Sequence, residues 1–128
     1  ANFGWPQFEG SQRTKNDAVT TKNPGHLITP IYEYKHDSSP TGGFSITGGY
    51  VYNGSIKELN GRYIFADYIK SNIWSGETTN SSIDSLIHHK ADFSQNGKDL
   101  KQICSFGEDP QGELYIISHQ GAIYKITD

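Results

Sequence analysis

The stretch that most constrains the fold is Ser105 to Ile126, SFGEDPQGELYIISHQGAIYKI. Leu114–Ile117 and Ala122–Ile126 are short runs rich in β-branched and aromatic residues, separated by the polar spacer Ser118–Gly121. A four-residue spacer ending in glycine is enough for a hairpin turn. Upstream, in Glu108–Gly112, Pro110 presets one backbone angle and Gly112 tolerates a positive φ. The segment therefore reads as strand, turn, strand, turn, strand. Such an antiparallel meander needs neighbours to bury its faces.

An echo of this pattern lies upstream. Tyr63-Ile64-Phe65 and Tyr115-Ile116-Ile117 are 52 positions apart (115 − 63). Each follows a glycine-containing turn and precedes a returning strand, Ile73-Trp74 or Ile123-Tyr124. Each is also preceded by an apolar run, Tyr50–Tyr52 or Ile103–Phe106. Two meanders of three or four strands at a period near 50 are the pattern of consecutive β-propeller blades, which bury their faces against one another. Rings of this kind take about four to eight blades. The remaining blades are expected from the same protein or from other chains, three such chains closing one lectin-like ring being one arrangement.

Composition narrows the function classes. With 34% apolar residues and 14 Gly in 128, the chain is poor material for a large independent core, yet 8 Tyr, 6 Phe and 2 Trp mark folded rather than disordered sequence. The net charge of −3 is spread without a basic stripe, which argues against nucleic-acid binding. No apolar run reaches the roughly 18 residues of a membrane-spanning helix. The sequence opens on Ala1 with neither Met nor a leader-like run, as a processed or excerpted sequence would. The single Cys104, next to Ile103, is expected as a small buried strand residue, the alternative being a reactive thiol. Asn53-Gly-Ser55 and Asn80-Ser-Ser82 are N-glycosylation triplets in turn-like stretches.

Taken in order, Ala1–Gly10 is expected as an ordered loop with Phe3, Trp5 and Phe8. Two readings are open there: the rings cover the edge of a core, or Trp5 is a flat platform at the mouth of a site. Ser11–Leu27 reads as a long surface loop. Thr29–His36 is expected as an edge strand behind Pro30. Ser45–Tyr52 is a strand whose Gly48-Gly49 permits a bulge, Arg62–Tyr68 and Asn72–Gly76 are strands, Ser82–Lys90 is a fourth, outer strand, and Asp92–Lys98 is loop. Adjacent on a strand, His88 and His89 point to opposite faces and cannot chelate one metal, so no metal ligand is assigned.

NFGWPQFEG, PIYEY, SITGGYVYNG, LNGRYIFADYIKSNIW and SFGEDPQGELYII, in that order, resemble the C-terminal part of the glucose/sorbosone dehydrogenase-like family. That family includes soluble quinoprotein sugar dehydrogenases and hedgehog-interacting-protein-like propellers. The resemblance covers the chain except Ser11–Thr29 and Glu77–Lys98. It implies an all-β chain whose antiparallel meanders form about two blades of a six-bladed β-propeller: one over residues 1–98 with its leading loop, and a terminal one over 99–128. It further implies an extracytoplasmic protein acting on a small-molecule sugar, with pyrroloquinoline quinone and calcium as cofactors in the dehydrogenase members. In those members a histidine base takes the C1 hydroxyl proton while hydride passes to the quinone. The base comes from earlier blades, so no catalytic residue falls in this chain. Trp5 matches the Trp of the family's aromatic-Gly-Trp-Pro loop near cofactor and sugar, with Phe3 where Tyr is usual. Lys70 falls within about a residue of a lysine that contacts the quinone's carboxylates; read from the sequence alone, it is a solvated hairpin lysine. Just before SFGED, quinone-binding members carry an Arg-x-Arg pair, suited to forked binding of an anion. Here stand Gln102, Ile103 and Cys104, with Lys101 expected on the opposite strand face. The alternative implied is a non-catalytic extracellular propeller that binds carbohydrate or protein.

Overall fold

A computed structural model describes residues 1–15, 25–89 and 92–128. Residues 16–24 of the expected Ser11–Leu27 loop, and Lys90 at the end of the expected Ser82–Lys90 strand, lie outside the described residues. The chain is all-β, and among the described residues the one helical element is a 3-10 turn at Lys57–Leu59. No helix among the described residues is long and apolar enough to cross a membrane.

The structure divides into two compact units. The first comprises Ala1–Glu33 and Asn80–Ser82. It carries a small hairpin, β1 (Phe8–Glu9) with β2 (Gln12–Arg13), and Asn2 bridges Leu27 in parallel.

The second unit, Tyr34–Thr79 and Ile83–Asp128, holds both meanders. In the first, β3 (Ile46–Val51), β4 (Tyr63–Asp67), β5 (Ile73–Thr78) and β6 (Ile83–His88) pair in sequence order as a four-stranded antiparallel sheet. A minor hairpin follows, β7 (Ser94–Gln95) with β8 (Lys98–Asp99). The second meander is three-stranded: β9 (Ile103–Glu108), β10 (Leu114–Ser118) and β11 (Ala122–Lys125). The expected 52-residue echo is thus realised, with Tyr63 opening the second strand of one meander and Tyr115 standing second in that of the other.

Local chemistry explains these elements. The register of β3 on β4 shifts between Thr47 and Tyr50, the expected bulge. A side chain at Gly49 would run into the Ile64 carbonyl, so only glycine permits this approach. The Asp109–Gly112 turn is closed by Gly112 N–H donating to Asp109 O (2.9 Å), with Gly112 at φ +81°. The Asp109 carboxylate also accepts the N–H of Gln111 and of Glu113 (3.0 Å each), the usual way an aspartate stabilises a turn.

β4 is buried on both faces from Ile64 onward, whereas β10 alternates buried and half-buried. One apolar cluster joins Tyr52, Ile64, Ala66 and Ile73 of the first meander to Ile103, Phe106, Leu114 and Ile116 of the second. The other face of β4–β5 is aromatic. Tyr34 and His88 stack on Trp74 (ring centroids 5.3 and 5.4 Å), Trp74 on Phe65 (5.4 Å) and Phe65 on Tyr63 (5.7 Å).

Four expectations need correction. Thr29–His36 forms no strand; its only ladder contact is the His36–Gly43 bridge, and Tyr34 is held through its ring and hydroxyl instead. Asp92–Lys98 is not plain loop: Asn96 and Gly97, at φ +52° and +72°, turn β7 into β8. Cys104 is on a strand but exposed, because the inward position goes to Ile103, which is fully buried. Lys101 and Gln102 do not alternate faces, since both are exposed and precede β9, with Gln102 at φ +52°.

Candidate functional site

The aromatic loop of the first unit is built by backbone hydrogen bonds. Gly4 N–H donates to Asn2 Oδ1 (3.0 Å), while Gly4 O accepts Gln7 N–H (2.8 Å) and Phe8 N–H (3.0 Å). Ile28 N–H donates to Asn2 O (2.9 Å), tying the loop's base to the chain beyond. The loop therefore holds Trp5 and Phe3 in place, 73% and 70% exposed. This corrects the edge-of-core reading for these two rings; the packed aromatic is Phe8, half-buried against Gly4.

Lys70 belongs to the second unit, in the turn from β4 to β5. Its ammonium donates to Ser38 O (3.1 Å) and its N–H to Asp67 Oδ1 (2.6 Å). Asp67 is fully buried, and its Oδ2 accepts from Tyr34 Oη (2.9 Å), Phe44 N–H (2.7 Å) and Ser45 N–H (2.7 Å). Burial pushes this carboxyl up, but the hydrogen bonds from Lys70, Ser45, Phe44 and Tyr34 outweigh it and hold the group below the ordinary Asp value. Asp67 thus shapes the turn that presents Lys70. Nearby Asp37 is also held low, by Ser39 hydrogen bonds first and by the Lys35 and Lys70 charges after them.

The β4–β5 and β10–β11 turns are stitched at one end of the meanders. Tyr68 Oη and His119 Nδ1 are 3.0 Å apart, Gln102 N–H donates to Ser71 Oγ (3.0 Å), and His119 N–H donates to Gln102 O (2.9 Å). Ser118 Oγ donates to Lys101 O (2.7 Å). The side chains at residues 102–104 supply no cation: Gln102 is exposed, Ile103 is buried, and the Cys104 thiol donates to Ile117 O (3.3 Å). A forked cationic grip on the carboxylates of a quinone is therefore absent, and these residues do not fit that cofactor. Among the described residues, no three His, Cys, Asp or Glu side chains come together as metal ligands.

Sequence reasoning missed two networks. Tyr52 Oη donates to Glu113 Oε2 (2.6 Å) and Ser55 N–H to Glu113 Oε1 (3.0 Å), a staple between the meanders. Hydrogen bonds from Ser55 and Tyr52 hold the Glu113 carboxyl below its ordinary value. In the other, Ser75 Oγ lies 2.7 Å from His89 Nε2, and His89 Nδ1 lies 2.9 Å from Asp92 Oδ2. The order imitates a nucleophile, base and acid. Ser75 is fully buried, however, and its oxygen also accepts Arg62 Nε–H (2.8 Å). No substrate reaches it, so the array anchors the Arg62 guanidinium, which also donates to the Ser75 and Ser85 carbonyls. A buried Ser and Arg spaced 13 apart carry no motif that a sequence scan would flag.

No protein-family model matches the chain. The HIPL1 protein of Arabidopsis thaliana is 29% identical over 150 aligned residues, which cover 98% of this chain and 21% of the relative. The chain thus spans about a fifth of the length of this curated relative.

Proposed function

We propose that this chain forms about two blades, over residues 1–98 and 99–128, of an extracytoplasmic six-bladed propeller of the glucose/sorbosone dehydrogenase-like kind, and that the propeller recognises a small sugar on the Trp5 platform. The observation that carries the sugar assignment is the pinned loop that holds Trp5 73% exposed, with Phe3 two positions before it. The exposed rings offer flat apolar contact surface, and the C–H-rich face of a pyranose has the matching shape. The similarity to HIPL1 and the two echoed meanders support the propeller.

Aldose oxidation with pyrroloquinoline quinone and calcium is a proposal for the whole protein, with Lys70 the one residue of the second unit assigned to the cofactor. Gln102, Ile103 and Cys104 speak instead for the second reading, a propeller that binds carbohydrate or protein without chemistry. The test uses the full-length protein with quinone and calcium, an aldose panel and a dye acceptor. Aldose-dependent dye reduction supports the dehydrogenase. Saturable quenching of tryptophan fluorescence without turnover, lost in Trp5→Ala, supports the binding module. Neither turnover nor Trp5-dependent quenching overturns the sugar assignment.

A further inference from the structure

Two asparagines head acceptor triplets for N-linked sugar, Asn53-Gly54-Ser55 and Asn80-Ser81-Ser82. The triplet pattern alone selects neither of them; the fold treats them differently. An N-linked oligosaccharide is bulky and hydrated, so its asparagine has to stand on a surface segment clear of the packed sheet.

The first triplet is wedged between the meanders. Asn53 Nδ2 already donates to Val51 O (3.1 Å). The Asn53 carbonyl abuts Gly112, where a Cβ would lie 2.6 Å from its oxygen. A Cβ on Gly54 would lie 2.5 Å from both Glu113 Oε2 and Tyr52 Oη. Ser55 N–H completes the staple by donating to Glu113 Oε1 (3.0 Å). A chain modified at Asn53 has to fit its sugar against this contact, so the folded protein keeps Asn53 bare.

The second triplet is presented to solvent. Thr78 pairs with Ile83, so residues 79–82 form the four-residue turn from β5 to β6. Asn80 and Ser81 are exposed, as are Glu77, Thr78 and Thr79 before them, and Ser82 is half-buried. A turn of Thr, Asn and two Ser has no apolar side chain to bury, so a sugar on Asn80 displaces no core packing. The turn also lies within Glu77–Lys98, a stretch that the family resemblance leaves out.

We propose that Asn80 carries an asparagine-linked oligosaccharide and that Asn53 does not. The inference rests on the extracytoplasmic reading, because the transfer takes place outside the cytoplasm. Asn80 Nδ2 attacks the anomeric carbon of an oligosaccharide linked to a polyprenyl pyrophosphate. The N–C1 bond forms and the bond from C1 to the pyrophosphate oxygen breaks. The amide proton goes to a base of the transferase, the lipid pyrophosphate leaves, and nothing is oxidised or reduced. The Ser82 hydroxyl is the group that the transferase reads two positions after the asparagine.

The test is peptide mass spectrometry of the full-length protein from its native cells, with and without a peptide N-glycosidase, alongside cell fractionation. The peptide spanning Asn80 is expected only after the glycosidase, with Asn80→Asp conversion. The peptide spanning Asn53 is expected unmodified in both samples. A bare Asn80, or a sugar on Asn53, overturns the proposal. Fractionation separates the site from the reading beneath it. Protein outside the cytoplasm with Asn80 bare sinks the site alone, whereas protein confined to the cytoplasm sinks both. Variants check the chemistry through the gel shift that the glycosidase removes. Ser82→Ala is expected to abolish the shift although Asn80 remains, Ser82→Thr to retain it, and Ser55→Ala to leave it unchanged. A shift that survives Ser82→Ala overturns the assignment to Asn80.

Discussion

Phe65 and Trp74 pair across β4 and β5 and are each 1% exposed, whereas Ile117 and Ile123, the same pairing one meander later, are half-buried and 70% exposed. The backbone pairing is equivalent; the covering is not. Tyr34 and His88 close over Trp74 in the first meander, whereas Ile123 is left 70% exposed. A similar contrast separates Asp67 from His119, 52 positions on (119 − 67). Asp67 is buried under four donors, while His119 is exposed and meets the Tyr68 hydroxyl. Equivalent pattern gives equivalent strands, and the energetic weight of a position comes from what lies over it.

The comparison can be broken most directly at the paired apolar positions. Trp74→Ala is expected to cost about 3–5 kcal/mol, because a fully packed ring leaves a cavity that the sheet cannot close. Ile123→Ala in this chain is expected to cost under about 0.5 kcal/mol. Denaturant unfolding checks both, and equal losses would mean that the two meanders are covered alike.

The polar pair comes next. Asp67→Ala strands the N–H groups of Phe44, Ser45 and Lys70 and the Tyr34 hydroxyl, with an expected loss of about 3 kcal/mol. His119→Ala, at the exposed counterpart, is expected to lose under about 1 kcal/mol. The same unfolding experiment run against pH sharpens the point. A carboxyl whose folded pKa lies below its ordinary value of 3.8 stabilises the protein above that value, and the contribution fades as pH falls through the folded pKa. The unfolding midpoint should therefore drop as pH falls below about 4. In Asp67→Asn the slope should shrink without vanishing, because Glu113 is also held low. An unchanged slope would show that Asp67 does not carry the acid sensitivity.

An effect smaller than those at Trp74 and Asp67 is expected at the staple between the meanders. Tyr52→Phe removes the hydroxyl on Glu113 and is expected to cost about 1 kcal/mol. Calorimetry of the variant checks whether the two meanders still melt as one transition. A separate, earlier transition for β9–β11 would make the staple more important than the shared apolar cluster.

Much of the strand pattern was legible beforehand. SITGGYVY announced both β3 and its bulge, and the expected strands Arg62–Tyr68, Asn72–Gly76 and Leu114–Ile117 appear as Tyr63–Asp67, Ile73–Thr78 and Leu114–Ser118. The β7–β8 hairpin was legible too, since Asn96-Gly97 is a strong turn signal, yet the two strands around it are too short and polar to stand out. Tyr34 misled because alternating Tyr residues before a turn look the same whether they join a ladder or anchor by their rings. Of the candidate site, the exposure of Trp5 had no sequence signature, since an aromatic loop is equally suited to cover a core.

By itself the sequence determined the all-β class, the order of the strands, the turns and the 52-residue echo, because alternation and turn chemistry act over two to five residues. Only the tertiary structure decided that Asp67 is a buried anchor, that Glu113 staples the meanders, that Cys104 faces out, and that β11 pairs with β10 in unbroken register. Those outcomes depend on contacts between residues far apart in the chain, 33 positions from Tyr34 to Asp67 and 61 from Tyr52 to Glu113. Burial and hydrogen-bond satisfaction exist only once such residues meet.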